Sequence, residues 1–267
     1  ANPNVIVLSL TAVVTWLVVP AKSNVSPVVK VSLEPESALN VNEELTFEMY
    51  KDNAVCANGA MYRKDVRGFL PELMEKIYED RTIYKKKMLE AKQQYEKTKT
   101  KKLEKEIARC NNIQMARKIQ LNSAYGAIGN QYFRYYKLAN AEAITLSGQV
   151  SIRWIENKIN QKMNTILKTK DIDYVIASDT DSIYLHMGPL VDRVYEGREK
   201  TTEGVVTFLN KVCEMELEPY IESSYQELAD YVNAYDQKMI MKRENIASTG
   251  IWTAKKRYIL NVWDSEG

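Results

Sequence analysis

Ser178-Asp179-Thr180-Asp181-Ser182 places two carboxylates one residue apart, between two short runs of β-favouring residues. The flanking runs are Tyr174-Val175-Ile176-Ala177 and Ile183-Tyr184-Leu185, and the residues between them favour a turn. This pattern predicts a β-hairpin with both carboxylates at its tip. Mg²⁺ prefers carboxylate oxygens and often completes its octahedron with substrate phosphates, so the tip fits a metal site for phosphoryl transfer. Taken alone, the segment fits an exposed acidic turn equally well.

A helical stretch upstream carries polar residues and glycines on one face. At helical spacing it combines a cation, an amide, an aromatic ring and two glycines, which are Lys118, Asn122, Tyr125, Gly126 and Gly129. A glycine inside a helix costs about 1 kcal/mol relative to alanine. Two glycines on one face therefore indicate that something flat or bulky packs closely there. A base pair fits this description, and so does another helix.

Four motifs follow one another along the chain. They are Asn122-Ser-Ala-Tyr-Gly126, Asn130-Gln-Tyr-Phe-Arg-Tyr-Tyr136, Asp179-Thr-Asp-Ser-Ile-Tyr184, and Thr253-Ala-Lys-Lys-Arg-Tyr258 with Asn261-Val-Trp-Asp264. In order and separation they resemble the motifs of family B DNA polymerases, and most closely those of the replicative polymerases of T-even-like bacteriophages. The resemblance extends from about Ala54 to the C-terminus.

The resemblance implies an α+β fold. Its palm is a mainly antiparallel sheet with helices on one face, and an antiparallel helical hairpin, the fingers, is inserted into it. Residues 1–69 correspond to the N-terminal part of the palm, 70–135 to the fingers, and 136–267 to the palm with the metal-binding hairpin and the primer-contacting strand. The exonuclease domain and most of the thumb are not expected in this sequence, so we expect a fragment.

Hydrophobic periodicity agrees with a helical hairpin in the middle of the chain. An amphipathic helix is predicted to begin at Pro71 and to end near Thr98. A second helix follows the lysine-rich stretch 97–102. We interpret this stretch as a solvated turn in preference to a DNA contact. The apolar side of the first helix is predicted to contain Leu73, Ile77, Tyr84, Met88, Ala91 and Tyr95. Further helices are predicted over 139–167 and 202–232, the latter interrupted near Pro219, and strands over 239–246 and 251–262. Residues 21–52 read as irregular.

The site residues follow from the resemblance, position by position. Asp181 corresponds to the metal-bridging catalytic aspartate, and Asp179 to a second aspartate with a weaker metal contact. Lys118 corresponds to a residue that both assists catalysis and binds the nucleotide. The remaining nucleotide-binding residues are Arg81, Lys85, Asn122, Tyr125 and Gly126, and the DNA-binding residues are Lys255, Lys256, Arg257 and Tyr258. Without the resemblance, the helix cations would read as ordinary surface charges.

The resemblance also implies the reaction and its participants. Template-directed DNA synthesis adds deoxynucleotides to a primer 3′ end by two-metal phosphoryl transfer, with two Mg²⁺ ions or Mn²⁺ in their place. The partners are primer-template DNA and deoxynucleoside triphosphates, and a sliding clamp could bind a C-terminal region outside this sequence. The implied location is the cytoplasm of an infected bacterial host.

Composition restricts the alternatives. A net charge of +2 does not by itself indicate a nucleic-acid partner, although residues 71–118 carry a local surplus of basic side chains. Three isolated cysteines and the single His186 show no zinc-ligand spacing and favour a reducing compartment. The apolar run Val5–Val19 is shorter than the ~20 residues that cross a bilayer. Because it is rich in valine, it predicts a buried strand instead of a membrane segment.

One motif departs from the family. The first carboxylate motif of the family reads Asp-Leu-x-Ser-Leu-Tyr-Pro, and its best counterpart here is Ser9-Leu-Thr-Ala-Val-Val-Thr15. Ser9 then occupies the position of a metal-binding aspartate, and Val14 that of the aromatic residue that excludes ribose. One explanation is a genuinely altered polymerase, in which case the chain is a catalytically dead nucleic-acid-binding module. The other, which we favour, is that the first ~50 residues are misread, for example by a shift of the reading frame.

A haloacid-dehalogenase-like phosphotransferase is a further alternative, because Asp179-Thr-Asp-Ser resembles the start of its nucleophile loop. That fold places the motif after the first strand of a parallel sheet. Here the motif lies two thirds of the way along the chain, inside a predicted hairpin, which disfavours this enzyme class.

Overall fold

The computed structural model describes the backbone of residues 2–12 and the whole of residues 53–254 and 256–265. These residues form helices and antiparallel strands that belong to two compact units. One unit contains residues 53–145, and the other contains residues 2–12 together with the described residues from Leu146 onward.

The helices and strands follow one another in a simple order. The strands are β1 (Asn2–Ala12), β2 (Asn53–Val55), β3 (Met61–Arg63), β4 (Val175–Asp179), β5 (Ser182–His186), β6 (Met239–Ala254) and β7 (Arg257–Ser265). The helices are α1 (Phe69–Thr98), α2 (Lys101–Ile128), α3 (Leu138–Leu167), α4 (Gly188–Val194), α5 (Thr202–Val212) and α6 (Glu218–Tyr231), with a π-helical turn at Cys213–Leu217 between α5 and α6.

A five-stranded sheet has the order β4-β5-β1-β6-β7, and every neighbouring pair is antiparallel. Its central strand, β1, pairs with β5 on one side and with β6 on the other. β2 and β3 form a separate two-stranded hairpin closed by Gly59, whose φ of 77° is easily reached only by glycine.

The central strand corresponds to the first part of the predicted apolar strand Val5–Val19. Residues 13–19 of that run and the predicted irregular segment 21–52 lie outside the described residues. In the part of the chain that the structure describes, no helix has the length and apolar character needed to cross a membrane.

α1 and α2 form the predicted helical hairpin. Lys99 ends α1 in the left-handed region, with φ of 44°, and donates its N–H to the Tyr95 carbonyl at 2.8 Å. Arg117 on α2 pairs with Asp80 on α1 at 3.2 Å. Since a two-residue connection joins the helices and this ion pair links positions on either side of it, the helices run antiparallel.

The buried side of α1 differs by one residue from the predicted one. Leu73 is 46% exposed, whereas Met74 is 7% exposed and lies in the same buried row as Met88 and Ala91. Neighbouring residues on a helix point about 100° apart. The prediction for Leu73 was therefore wrong, because the direction from which α2 approaches α1 selects Met74.

The predicted strand over residues 251–262 has extended backbone at both ends, but it is not a single strand. The chain reverses direction inside it, so that β6 ends at Ala254 and β7 begins at Arg257. Lys256 occupies the turn with φ of 60°, and Ala254 pairs with Arg257 across it. The turn lacks the glycine, asparagine or proline that usually marks such a reversal, so no local signal in the sequence indicates it.

The predicted helix over residues 202–232 divides into α5 and α6 at the π-helical turn Cys213–Leu217. Pro219 occupies the first turn of α6, where its missing N–H costs nothing. The predicted interruption near Pro219 is therefore confirmed, and its form is a π-helical turn.

The buried face of α3 forms the core of the larger unit. Ile155, Ile159 and Met163 are fully buried. Trp154 donates its indole N–H to the Ser224 carbonyl of α6 at 2.8 Å, which fixes α3 against α6. α3 thus contributes a fully buried apolar row to this unit, and its neighbouring side, with Trp154 and Lys158, is attached to α6.

We expect Ile159→Ala to lower the free energy of unfolding by about 3 kcal/mol, because it removes buried methyl groups and leaves a cavity. Urea unfolding followed by tryptophan fluorescence measures the effect, since Trp154 lies in the same helix. Ile172→Ala, at a site that is 45% exposed, is the control and should change stability by less than about 0.5 kcal/mol. Equal effects of the two substitutions would contradict this account of the core.

Candidate active site

Asp179 and Asp181 lie at the tip of the β4–β5 hairpin, as predicted. Asp179 pairs with Ser182, so that only Thr180 and Asp181 form the loop. The Asp181 N–H donates to the Asp179 carbonyl at 2.5 Å, and the Ser182 hydroxyl donates to the same carbonyl at 3.2 Å. Thr180 has φ of 49°, an uncommon conformation for a β-branched residue. The tip is therefore a tight turn that holds two carboxylates close together.

The surroundings of Asp181 are net negative. Loss of solvent around its carboxyl group raises the pKa of Asp181, and the charges of Glu244 and Asp179 raise it further. The nearby Lys256 lowers this pKa. Asp181 is still exposed to solvent, so solvent screens these interactions in part. A bound cation would offset the excess negative charge at this tip.

Glu244 is a residue that sequence reasoning missed. It lies on β6, where buried Met239, Met241 and Arg243 alternate with exposed residues, and Glu244 belongs to the exposed set. Nothing in the sequence connects Glu244 with Asp181, because their proximity arises from the pairing of β6 and β5 with β1. The sequence carries one weak signal: Met239 and Met241 predict a buried face, and the two-residue period of a strand then places Glu244 on the opposite face.

The backbone of Ser9 lies beside this carboxylate tip. Ser9 pairs with Ser182 of β5 on one side and with Lys242 of β6 on the other. Ser182 directly follows Asp181 in the chain. The strand that carries Ser9 thus reaches the end of the sheet where Asp179 and Asp181 are located.

The residues at the tip fit a hard divalent cation with incomplete protein coordination. Among the described residues, no three side chains of the types His, Cys, Asp and Glu converge as a metal-binding group. Mg²⁺ does not need such a cage, because it often binds through one or two carboxylates, waters and substrate phosphates. Asp179 and Asp181 meet that requirement.

The turn between β6 and β7 carries the predicted DNA-binding residues. Lys256, Arg257 and Tyr258 are exposed. Lys256 lies close enough to Asp181 for its positive charge to lower the pKa of the Asp181 carboxyl group. Lys255 lies outside the described residues. The structure therefore brings the basic turn and the carboxylate tip of the same unit together.

The cations predicted to bind nucleotide lie on the α1–α2 hairpin of the other unit. Asp80 and Arg117 form an ion pair across the two helices. Their sequence neighbours, Arg81 on α1 and Lys118 on α2, therefore lie at the same level of the hairpin, and Lys85 follows one turn after Arg81. Lys85 and Lys118 are exposed, while Arg81 is partly buried and its Nε has no hydrogen-bond partner in the described part of the chain.

The predicted platform residues are exposed on α2. Tyr125 is 40% exposed, and Asn122 and Gly126 are exposed as well. No atom in the described part of this unit lies within 4 Å of the place where a Cβ on Gly126 would be. Gly129 differs, because a Cβ there would meet the Ala141 side chain at 3.6 Å. The surface at Gly126 is thus open to a flat ligand.

Known proteins that are similar to this chain belong to one family. A sequence profile of DNA polymerase family B matches residues 21–219. The chain is 35% identical to the DNA-directed DNA polymerase of Enterobacteria phage T4 and 34% identical to that of Escherichia phage RB69. These alignments cover 78% and 79% of the chain, and in both cases 29% of the phage protein.

A more distant relative matches a shorter part of the chain. The DNA polymerase alpha catalytic subunit of Arabidopsis thaliana is 34% identical over 125 residues, which is 45% of the chain and 7% of that protein. The family profile covers most of the chain and includes the α1–α2 hairpin and the carboxylate tip. The chain therefore belongs to DNA polymerase family B.

Proposed function

We propose that the chain is the palm and fingers part of a DNA-directed DNA polymerase, which adds deoxynucleotides to a primer 3′ end under the direction of a template strand. The observation that carries this proposal is the tight turn with Asp179 and Asp181 beside Lys256, in a chain that belongs to DNA polymerase family B. The α1–α2 hairpin is then the fingers, and the five-stranded sheet with its helices is the palm. Primer-template DNA and deoxynucleoside triphosphates are the substrates.

Asp181 and Asp179 are the proposed metal ligands, with Asp181 as the principal one. Mg²⁺ or Mn²⁺ bound there would activate the primer 3′ hydroxyl and stabilise the leaving oxygen. The family mechanism uses two such ions. Glu244 adds negative charge at the same tip. These carboxylates therefore favour the binding of divalent cations at the end of the palm sheet.

Arg81, Lys85 and Lys118 are proposed to bind the triphosphate of the incoming nucleotide. Arginine offers a planar fork to phosphate oxygens, and lysine acts as a compact charge. Their common level on the fingers hairpin and the exposure of both lysines support this role. Asn122, Tyr125 and Gly126 would then contact the nascent base pair through shape, at the open surface described above.

The turn between β6 and β7 is proposed to contact the primer backbone. Three cations, Lys255, Lys256 and Arg257, would contact phosphate oxygens. Tyr258 would add a hydroxyl group. Such contacts contribute affinity that does not depend on sequence and that falls with salt. Because Lys256 is near enough to Asp181 to lower the pKa of its carboxyl group, this turn would hold the primer close to the proposed metal-binding carboxylates.

Ser9 favours a second candidate function, a catalytically dead module that binds nucleic acid. Its backbone lies where β1 passes the carboxylate tip, and its hydroxyl group cannot replace the charge of an aspartate. We therefore infer that the chain as written does not polymerise by itself. The loss of a metal ligand is expected to reduce the rate by orders of magnitude without removing the basic DNA-binding turn.

Asp181→Asn should abolish primer extension while it leaves primer-template affinity within a few fold, because it removes a metal ligand and leaves the cations in place. The substitution is best made in a chimera in which residues 53–265 replace the matching segment of the phage T4 polymerase, whose own first motif is retained. Asp192→Asn, at an exposed carboxylate paired with Lys200 at 2.6 Å, is the control and should extend primers normally. Normal extension by Asp181→Asn would overturn the metal assignment.

Lys118→Ala should weaken nucleotide incorporation by about 1–3 kcal/mol in transition-state terms, because a charge-assisted contact to phosphate is lost. Single-turnover kinetics of the same chimera at saturating primer-template measure this effect. Lys105→Ala removes an exposed cation from the same helix and should leave incorporation unchanged. A defect of Lys118→Ala that disappears at saturating DNA would assign the residue to DNA binding instead.

A longer chimera that also carries residues 1–52 of this chain should bind primer-template DNA but fail to extend the primer. The Ser9→Asp variant of this chimera should remain inactive, because Val14 and Thr15 also differ from the family motif. Primer extension and DNA binding, measured side by side for the two chimeras, separate the polymerase from the catalytically dead module. Robust extension by the longer chimera would show that the carboxylate missing at residue 9 is not needed.

A further inference from the structure

The outer part of the β6–β7 hairpin folds back towards β5. Tyr184 pairs with Val7 of β1, and Val7 pairs with Asn245 of β6, so these three residues form one row across the sheet. Trp252 lies seven residues beyond Asn245, which is about 23 Å along a straight strand. The rings of Tyr184 and Trp252 are nevertheless only 5.3 Å apart. The hairpin must therefore bend strongly.

Irregular pairing accounts for this bend. The register between β6 and β7 shifts at Ile246/Ala247, at Ala247/Thr249 and again at Trp252/Ala254. Each such irregularity bends a strand and increases its twist. The irregular pairing thus favours a curved hairpin. The extent of the curvature is then determined by a contact at the outer end of the hairpin.

Three aromatic rings make that contact. Tyr184 of β5 meets Trp252 of β6 edge to face, and it meets Tyr258 of β7 in the same way at 5.4 Å. Trp252 and Tyr258 pair across their hairpin and stack at 6.3 Å. Tyr184 is 3% exposed beneath them, and Leu260 completes the apolar contact. These rings join the β4–β5 hairpin, which carries Asp179 and Asp181, to the β6–β7 hairpin, which carries Lys256.

Gly250 makes room for the indole ring of Trp252. A Cβ at Gly250 would lie 2.6 Å from the Cη2 and Cζ3 atoms of Trp252 and 2.9 Å from the Cδ2 atom of Leu260. Real Cβ atoms do not approach ring carbons so closely, so any larger residue would displace the indole ring. Gly250 and Trp252 therefore form one arrangement, in which the ring covers the bare backbone of its own strand.

We propose that Trp252, seated over Gly250, is a positioning residue that holds the Lys256 turn beside Asp181 for nucleotide addition. The inference rests on the proposed function for its catalytic consequence only. Its structural part is independent, because Trp252 touches Tyr184 directly and lies four residues from Lys256. Without the indole ring, the curved hairpin keeps the edge contact of Tyr258 with Tyr184 but loses the contact that lies over Gly250. The basic turn is then held less firmly beside the carboxylate tip.

The structural part is tested on the 267-residue chain with nitroxide labels at S178C and A254C, one on each hairpin. The three native cysteines are buried and so are protected from labelling. Dipolar coupling measured by EPR should give one narrow distance distribution for the otherwise native protein. Trp252→Ala and Gly250→Ala should each broaden the distribution and shift it to longer distances.

Two controls separate positioning from general loss of structure. Trp252→Phe retains an aromatic contact with Tyr184 and should keep most of the narrow distribution. Gly148→Ala introduces a methyl group where no described atom lies within 4 Å and should change nothing. Circular dichroism should show native helix content in all four variants. An unchanged distance distribution in folded Trp252→Ala and Gly250→Ala would overturn the proposal.

The catalytic part is tested in the chimera that carries residues 53–265. At saturating DNA and nucleotide, Trp252→Ala should lower the incorporation rate by between about tenfold and 100-fold, because small displacements of reacting groups have effects of this size. The KM for nucleotide should stay within about twofold, since the fingers are untouched. Trp252→Phe should recover most of the rate. A rise in KM at an unchanged rate would contradict a positioning role.

The two tests fail in different ways. If the unsubstituted chimera is inactive while the EPR distances respond to Trp252 and Gly250 as expected, the proposed function is wrong and the positioning contact is right. If the chimera is active and the EPR distances do not respond, the positioning contact is wrong and the proposed function stands.

Discussion

The backbone pairing of β1 is the constraint on which the sheet and its site depend. β4 and β5 form one hairpin, β6 and β7 form another, and in the ladder only β1 lies between them. A two-stranded hairpin alone is at best marginally stable in water. Because β1 contributes through its peptide groups, the pairing of the sheet does not depend on the side chain at residue 9. If an aspartate at this position is needed for catalysis, as proposed above, the fold can persist where the activity is lost.

The parts of the fold that sequence predicts best are those made by local contacts. The carboxylate hairpin was predictable because turn-forming residues separate two short β-favouring runs, and the α1–α2 hairpin because each helix shows its own periodicity. The reversal at Lys256 was not predictable, since a left-handed lysine between two strands is imposed by pairing and by the aromatic contact. Leu73 was misplaced for a similar reason, because the approach of α2 decides which side of α1 is buried.

The candidate site shows the same difference between residues that are close in sequence and residues that tertiary pairing brings together. Asp179 and Asp181 were found from sequence because they are neighbours in one turn. Glu244 was missed because its position beside Asp181 exists only after β5 and β6 have both paired with β1. The cations of the α1–α2 hairpin that are proposed to bind nucleotide came from the family resemblance, and the ion pair between Asp80 and Arg117 shows that two of them share one level of that hairpin. Physical periodicity alone does not distinguish them from other surface charges.

The position of β1 in the chain has a consequence for the order of folding. α1 and α2 need only a two-residue connection to meet, so their contacts are local and form early. β1 precedes both of its partners by most of the chain, and it emerges from the ribosome long before β5 and β6 exist. Until then, an apolar strand with two unpaired edges is exposed, which is a template for aggregation. The strand order of this sheet therefore leaves β1 unpaired during synthesis until β5 and β6 have emerged.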